Sequence, residues 1–411
     1  MKNWRFWALL VLSLMLWRGV AVASVPFEHY EALTVYGGRV YALMTRETHT
    51  DFYDWEYFPS RIAELDENLN ELRSLELKDG TNAAKNSGFF ALHGGKLYVG
   101  SIGGDMGGGE AGDVWEVDIE TWTASQVLDV SSDGGISGLA IANDGTAFIL
   151  VGGYDASWNF QATLYVTTAG ILSGGTTLAA IGPGILISGS GYSWGLAWSE
   201  PDEALWVMAG EELKAYSKTG APLRTFSPLE LGNNIVSIAA LESGGLYYTV
   251  SDYVTASAGR ITKAGSAYTV QQNLVTGFSG DTAVFTFRDH NNDDHVLMRE
   301  FNYGPNDNVL IYDLDNFTTP KVNVSNWGTN IHAIARLGTY LYLGTYESYD
   351  ASNNQLSGEI KRFDMSGWHD VQPEKPEEPS ESTGGGGCDS GFATLAWLLL
   401  APAALTKHRK R

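Results

Sequence analysis

Short apolar segments, several of them continuous runs of four or more residues, recur in pairs along this chain of 411 residues. Glycine, proline, asparagine or acidic residues join the two segments of each pair, and these residues favour tight turns. The pattern predicts antiparallel strand pairs, and no long stretch of the body shows the 3.6-residue period of an amphipathic helix. Seven such pairs are predicted: Tyr30 to Thr45, Phe89 to Ser101, Ile136 to Gly152, Trp194 to Gly210, Ile235 to Ser251, Thr282 to Glu300 and Ile331 to Thr345.

A second and weaker pair follows the first, for example between Asp113 and Val130 and between Val309 and Val324. Each unit then holds four strands, and equivalent positions recur at intervals of roughly fifty residues, as in β-propellers. The sequence therefore predicts an all-β fold, a β-propeller of seven four-stranded blades. A two-sandwich arrangement is the alternative, but it gives no reason for the near-constant interval. The equivalent positions, named anchor positions below, are Val40, Leu97, Ala147, Leu205, Leu246, Val296 and Leu341.

The composition agrees with many short strands joined by turns. Glycine accounts for 48 residues and charged residues for 18% of the chain, against averages of about 7% and about 25%. The formal net charge is −22, and such a surface repels phosphate backbones, so nucleic acid is not an expected partner. Cations and neutral polar ligands such as glycans remain candidates.

The first 23 residues have the organisation of a secretory signal peptide. Lys2 and Arg5 precede an apolar stretch from Phe6 to Trp17, and the small residues Ala21 and Ala23 form a cleavage site. We therefore expect export and cleavage by signal peptidase after Ala23. A retained N-terminal anchor is the alternative, but the apolar stretch is short for a membrane-spanning helix of about 20 residues.

The end of the chain has a three-part organisation. Gly384 to Gly387 and Cys388 precede a short apolar segment from Phe392 to Leu405, and basic residues follow. This layout resembles the GlyGly type of bacterial C-terminal sorting signal, in particular the Synergist-type signal. The resemblance implies processing near Gly387 and Cys388 by a rhomboid-like intramembrane protease. A plain C-terminal membrane anchor is the alternative.

These features predict four parts: a signal peptide (1–23), a β-propeller domain (24–371), a linker rich in proline, glutamate and glycine (372–387) and a C-terminal sorting signal (388–411). The body resembles secreted bacterial propellers in general. Cys388 is the only cysteine, so no disulfide bond can form within the chain. We expect the protein at the cell envelope or cell surface, attached to the membrane through its C-terminal region.

Aromatic and acidic residues are concentrated in the predicted loops between the second and third strands of the blades. In a propeller these loops share one face with the connections between blades. Aromatic rings stack on the apolar patches of sugars and carboxylates accept hydrogen bonds, so this face is predicted to bind a glycan or peptide. Alternatively, the rings cap the blade ends. The predicted residues are Tyr53, Asp54, Trp55, Tyr57, Asp105, Tyr154, Asp155, Trp158, Tyr253, Tyr303, Tyr349 and Asp350.

One predicted turn follows the ligand spacing of a calcium-binding loop. Asp289, Asn291 and Asp293 offer oxygen ligands at alternate positions, and an acid stands at the twelfth position. An aspartate replaces the glycine expected at the sixth position, so the sequence favours a metal-free turn rich in Asp and Asn over a calcium site. Calcium is the one cofactor that the sequence indicates. The histidines of this turn, His290 and His295, are expected to be solvated.

Several linear catalytic motifs are missing from the sequence: it has no His-Glu-x-x-His, phosphate-binding loop or Cys-x-x-Cys. The first hypothesis is therefore a binding or structural propeller displayed at the envelope, with a glycan or protein ligand. The alternative is an extracellular glycan lyase or hydrolase that uses the central channel, because propellers can bring functional groups together from several blades. No catalytic residue can be named from the sequence.

Overall fold

The computed structural model describes residues 26–51, 54–102, 112–130, 134–154, 160–187, 194–252, 254–279, 282–300, 308–314, 316–324, 329–349 and 355–367. All of them belong to one compact unit that ends at Pro373. Their strands form seven antiparallel sheets, the blades, which follow one another along the chain.

Blade 1 comprises β1 (Phe27–Tyr36), β2 (Arg39–Asp51), β3 (Asp54–Leu65) and β4 (Glu71–Glu76), followed by a small hairpin of β5 (Lys78–Asp79) and β6 (Asn82–Ala83). Blade 2 comprises β7 (Ser87–His93), β8 (Lys96–Ser101), β9 (Asp113–Asp118) and β10 (Thr123–Asp129). Blade 3 comprises β11 (Gly135–Ile141), β12 (Thr146–Tyr154), β13 (Phe160–Thr168) and β15 (Ile185–Ile187). Between β13 and β15 lie two short helices, α1 (Ala169–Ser173) and α2 (Leu178–Ile181), and β14 (Thr176–Thr177), which pairs with β10.

Blade 4 comprises β16 (Trp194–Ser199), β17 (Ala204–Ala209), β18 (Glu212–Ser217) and β19 (Pro222–Phe226), and α3 (Pro228–Leu231) leads to the next blade. Blade 5 comprises β20 (Asn234–Ala240), β21 (Leu246–Ser251), β22 (Thr255–Ala264) and β23 (Ala267–Ser279). Blade 6 comprises β24 (Thr282–Arg288), β25 (Asp294–Glu300), β26 (Asn308–Asp313) and β27 (Val322–Val324). Blade 7 comprises β28 (Thr329–Leu337), β29 (Tyr340–Tyr349), β30 (Gln355–Ser357) and β31 (Ile360–Asp364), of which the last two both pair with β29.

The predicted fold is confirmed: the protein is an all-β, seven-bladed β-propeller. Each predicted strand pair forms the first two strands of a blade. The first strands contact one another in order around a closed ring, from β1 through β7, β11, β16, β20 and β24 to β28 and back to β1. These first strands therefore surround the central channel.

The core lies between the blades, and the second strands contribute a large share of it. All seven anchor positions are 0% exposed, and in six blades an aromatic residue follows the anchor and is also buried. Trp206 of blade 4, for example, packs on Phe226 and against Tyr268 of blade 5, with ring centroids 6.0 and 5.8 Å away. Trp206 packs against blade 5, whereas Leu205 packs against blade 3, so alternate residues of the second strand bury its two faces, and such strands recur at this interval.

Blades 1 and 7 close the ring without exchanging a strand between the described parts of the two sheets. Backbone and side-chain hydrogen bonds join them instead: Gly358 N donates to Glu28 O (2.7 Å), and the Tyr342 hydroxyl donates to Glu67 O (2.8 Å). Tyr342 also packs in an apolar cluster with Val40 and Met44 of blade 1. The contact between blades 1 and 7 is named the closure seam below.

The alternation of antiparallel strands gives the propeller two faces. One end of the blades, named the hairpin face, holds the turns between first and second strands. The other end, named the connection face, holds the links between second and third strands and those from blade to blade. The first strands begin at the connection face and end at the hairpin face.

Candidate functional site

Five of the seven first strands carry a β-bulge at the same level of the channel. In each of these blades the pairing register between the first and second strands shifts by one residue. The shift lies opposite the third and fourth residues after the anchor position of the second strand. Blades 4 and 6 have no such shift. A bulge leaves its extra residue without a cross-strand partner and re-aims the side chain, and bulges are frequent beside active sites. The extra residues are Glu31, Gly88, Ser137, Val236 and His332, all of them partly exposed.

Two of these bulge residues, Glu31 and His332, meet across the closure seam. His332 Nδ1 lies 3.1 Å from Glu31 Oε2, within hydrogen-bond distance, and the side chains are 32% and 14% exposed. They lie on β28 and β1, neighbouring strands of the channel wall, towards the connection face. Both side chains of the pair are therefore partly open to solvent.

A buried polar group supports this pair from behind. His29 Nε2 lies 2.9 Å from Glu47 Oε1, and the two side chains are 0% and 1% exposed. His29 Nδ1 contacts the carbonyl oxygen of Tyr346, and the Tyr346 hydroxyl donates to Glu47 Oε1 at 3.3 Å. The other oxygen of Glu47, Oε2, is buried and has no hydrogen-bond partner among the described residues.

Aromatic contacts join the buried group to the exposed pair. The His29 ring stacks on the Tyr346 ring, with centroids 3.9 Å apart and planes 9° from parallel. The His332 ring lies 5.0 Å from the Tyr346 ring and is tilted by 38°. Tyr346 therefore contacts both histidines. We name these five residues the seam cluster: His29, Glu31, Glu47, His332 and Tyr346.

The buried part of the seam cluster favours a protonated His29. Burial lowers the pKa of His29, but the hydrogen bonds to Glu47 and to the Tyr346 carbonyl, with the charges of Glu47 and Glu31, raise it above its ordinary value. Both ring nitrogens face acceptors, which is the arrangement an imidazolium satisfies. Burial, with the nearby charges of Glu47 and Glu31, raises the pKa of Tyr346, so its hydroxyl stays protonated. The expected state is an imidazolium–carboxylate pair with a neutral tyrosine.

The structure describes only part of the predicted ligand-binding face. Tyr57 lies on β3 with its Cα opposite Glu47, and its charge when ionised contributes to the raised pKa of Tyr346. Asp54 and Trp55 also lie on β3, while Tyr154 and Tyr349 end β12 and β29, so these strands extend further than the sequence predicted. All five lie at strand ends near the connection face. The other predicted residues, Tyr53, Asp105, Asp155, Trp158, Tyr253, Tyr303 and Asp350, fall outside the described residues.

The predicted calcium residues lie in the turn between β24 and β25 on the hairpin face. Asp289 Oδ1 accepts the backbone N–H groups of Asn291 (2.8 Å) and Asp293 (3.0 Å), which is the geometry of an Asx turn. Asp289 Oδ2 lies 3.3 Å from His295 Nε2. Within the described ranges, no group of three His, Cys, Asp or Glu side chains is arranged to hold a metal ion. The calcium site stays a prediction.

The expectation that His295 is solvated was wrong. Its ring is 1% exposed and lies between two carboxylates, with Nε2 near Asp289 and Nδ1 2.9 Å from Asp313 Oδ1. Its neighbour His290 is exposed, as expected. His295 lies in β25, whose five inner residues are all buried. The carboxylates compensate the loss of water around its imidazole.

The predicted processing residues, Ala23, Gly387 and Cys388, lie outside the described residues, as do the linker and the C-terminal tail. In the portion of the chain that the structure describes, none of the helices has the length and apolar character needed to cross a bilayer.

The seven sheets and their closed ring define the class of protein: a seven-bladed β-propeller. No protein family and no curated protein matches the sequence. Solved structures match in fold. The periplasmic gluconolactonase of Pseudomonas aeruginosa has 12% identity and a TM-score of 0.50, over 78% of this chain and 98% of that chain.

Two further structures are similar. A prolyl endopeptidase has 12% identity and a TM-score of 0.50 over 84% of this chain, which spans about half (48%) of that chain. The β-propeller domain of the trilobed protease of Pyrococcus furiosus has 12% identity and a TM-score of 0.47, over 85% of this chain and 99% of that domain. At such low identity these similarities concern the fold alone.

Sequence reasoning missed the whole seam cluster. Its members lie at both ends of the propeller domain, and Tyr346 is 317 residues from His29. The bulges that distinguish Glu31 and His332 depend on pairing register, which a single sequence does not display. One signal was available in the sequence. His29 and Glu31 occur early in the first strand of the first unit, and His332 occurs early in the first strand of the last unit. A closed ring makes these two strands neighbours.

Proposed function

We propose that this chain is an exported, envelope-attached β-propeller that binds a ligand at the mouth of its central channel on the connection face. The observation that carries the proposal is the Glu31–His332 pair, a partly exposed carboxylate–imidazole pair on neighbouring strands of the channel wall. The buried His29–Glu47 pair and Tyr346 support it, so its groups are held in place before a ligand arrives, which lowers the entropic cost of binding.

Export and attachment are proposed from the sequence of the two ends. Signal peptidase would cleave after Ala23, and a sorting protease would act near Gly387 and Cys388. The linker between 372 and 387 would then separate the propeller from the envelope, because proline and repelling acids favour extended chains. Deleting 384–411 in the native host should release the protein into the medium. If cell fractionation finds the truncated protein still bound to the envelope, the attachment proposal is wrong.

The binding experiment compares variants of the full-length chain. A panel of envelope polysaccharides and peptides is screened, and each ligand found is measured by calorimetry against Glu31→Gln and His332→Ala. Loss of a hydrogen bond to a charged group costs about 1.5–3 kcal/mol, so affinity should fall roughly tenfold or more. Matched controls on the hairpin face are Glu242→Gln and His290→Ala, both exposed, which should bind like wild type. Wild-type affinity in both seam variants would refute the site.

The second candidate function is a glycan lyase or hydrolase. The Glu31–His332 pair also favours it, because a carboxylate bonded to an imidazole in a channel can exchange protons with a substrate. The same polysaccharide panel is analysed for reducing ends and for unsaturated products. Product that disappears in His332→Ala would establish catalysis, whereas binding without product would exclude it for that ligand.

A further inference from the structure

The charged residues of the channel wall lie asymmetrically. Among the seven first strands, those of blades 2 to 6 carry only His93 and Arg288 as charged or histidine residues, each the last residue of its strand on the hairpin face. At the connection-face ends the only such residues are Glu28, His29, Glu31 and His332, all of blades 1 and 7. Among the described first strands, the ionic side chains near the connection face therefore belong to blades 1 and 7.

The balance of these charges is negative. His29 is paired with Glu47, and Glu28 is paired with Arg46 and Arg61 at 3.5 and 3.3 Å. Glu31 has His332 alone as its partner, and Oε1 of Glu31 accepts no hydrogen bond from any described residue. Glu31 therefore offers a carboxylate charge with one oxygen that has no donor among the described residues, in a protein whose net charge is −22. A channel with low-dielectric walls focuses such a charge on its entrance.

The rest of the wall offers neutral hydrogen-bonding groups. Ser87 and Thr282 are the first residues of β7 and β24, and each has a buried hydroxyl oxygen without a hydrogen-bond partner among the described residues. Both residues are 0% exposed, so their hydroxyls lie behind the surface of the wall. Ser137 and Asn234 add further polar groups at the connection-face ends of β11 and β20.

We propose that the ligand group recognised at the channel mouth is an amino sugar with a free, protonated amine. The ammonium group donates to Glu31, and sugar hydroxyls face the neutral polar wall. This inference rests on the proposed function and specifies its ligand class. An acidic sugar would meet the carboxylate of Glu31, and a purely apolar ligand would leave its second oxygen without a donor.

The test uses glucosamine oligomers, N-acetylglucosamine oligomers of the same length, oligogalacturonate and a lysine-containing peptide. Binding to the full-length chain is measured by calorimetry at pH 6, where the sugar amine is protonated. The glucosamine oligomer should bind about tenfold or more tightly than the acetylated oligomer, because a charged donor strengthens the hydrogen bond to Glu31. The preference should diminish with added salt. Oligogalacturonate should bind weakest of all.

Glu31→Gln should remove the preference for the free amine. The variant is isosteric at a partly exposed site, and its fold is checked by its melting temperature. Glu242→Gln on the hairpin face, with a side chain 66% exposed, changes the net charge equally and should keep the preference. A preference that survives Glu31→Gln would overturn the assignment.

Other outcomes separate this inference from the proposed function. Equal binding of the free and acetylated oligomers, lost in His332→Ala, would overturn the amine preference and leave binding at the channel mouth in place. A peptide that binds as tightly as the glucosamine oligomer would show that the amine alone is recognised, and would overturn the sugar assignment. No binding of any probe would overturn the inference alone, because the proposed function names no ligand.

Discussion

Two buried histidines in this propeller each contact at least one carboxylate, but in different surroundings. His29 joins Glu47 and Tyr346 across the closure seam, between residues up to 317 positions apart. His295 lies between Asp289 and Asp313, within one blade and 24 residues of chain. The seam pair links ring closure to the channel wall, whereas the blade 6 pair holds a local turn. Similar histidine–carboxylate contacts therefore join the two ends of the ring in one case and hold a single turn in the other.

The difference predicts unequal costs when a carboxylate is removed. Glu47→Ala leaves an unpaired, fully buried imidazolium at the seam, which should destabilise the fold by about 3–5 kcal/mol. Asp313→Ala removes a carboxylate that is 43% exposed, so its loss should cost about 1 kcal/mol or less. Urea denaturation of both variants at pH 6 measures the two costs. Equal costs would contradict the distinction between the two pairs.

A double variant separates the charge from the packing. His29→Phe with Glu47→Leu replaces the buried pair by apolar groups, and replacement of a whole buried pair is often close to neutral. The double variant should therefore be more stable than Glu47→Ala. If it is less stable, packing rather than an unpaired charge explains the loss.

The two pairs should also respond to pH in opposite directions. The pKa of His29 is raised above its ordinary 6.5, so its contribution to stability is complete below that pH and is lost as pH rises through the folded-state pKa. Burial raises the pKa of Asp289, but its backbone hydrogen bonds and His295 lower it below the ordinary 3.8. Its contribution is therefore present above pH 3.8 and is lost as pH falls through the folded-state pKa.

Denaturation of wild type, His29→Gln and Asp289→Asn across pH 3 to 9 tests this opposition. The stability difference between wild type and His29→Gln should shrink towards high pH, and that between wild type and Asp289→Asn should shrink towards low pH. The total change should be smaller than the loss in Glu47→Ala, because titration removes a charge but keeps the packing. Parallel pH profiles would show that one of the two protonation states is wrong.

The anchor positions, the blade 6 turn and the seam cluster differ in how far the sequence predicts them. The anchor positions were predictable because each second strand has two buried faces, which require an apolar run at every repeat. The Asx turn at Asp289 was predictable because its donors lie two and four residues away. The seam cluster was not, because its contacts depend on ring closure and on bulges. Tyr154 and Tyr349 belong to strands rather than loops, since pairing extends to the face.

A smaller effect tests the link between the seam and the channel. Tyr346→Phe removes the hydroxyl that donates to Glu47 but keeps the ring between His29 and His332. One hydrogen bond contributes about 1 kcal/mol, so stability should fall by about that amount while ligand affinity at Glu31 changes less than twofold. Tyr346→Ala also removes the ring, and both stability and affinity should fall. Equal affinities in the two variants would show that the ring does not position His332.

The smallest predicted effect concerns calcium in the blade 6 turn. Asp289 already uses Oδ1 for two backbone N–H groups and has Oδ2 beside His295, so an ion would have to compete with these contacts. A weak extracellular site with a Kd on the order of 10⁻³ M would stabilise the fold by about 0.4 kcal/mol at 1 mM calcium. We therefore expect little change in melting temperature between calcium and chelator. A shift that rises with calcium up to 10 mM, is absent with magnesium and disappears in Asp289→Ala with Asp293→Ala would establish the metal site. The turn would then differ from the closure seam in binding a metal ion, as well as in joining residues that are close together in the chain.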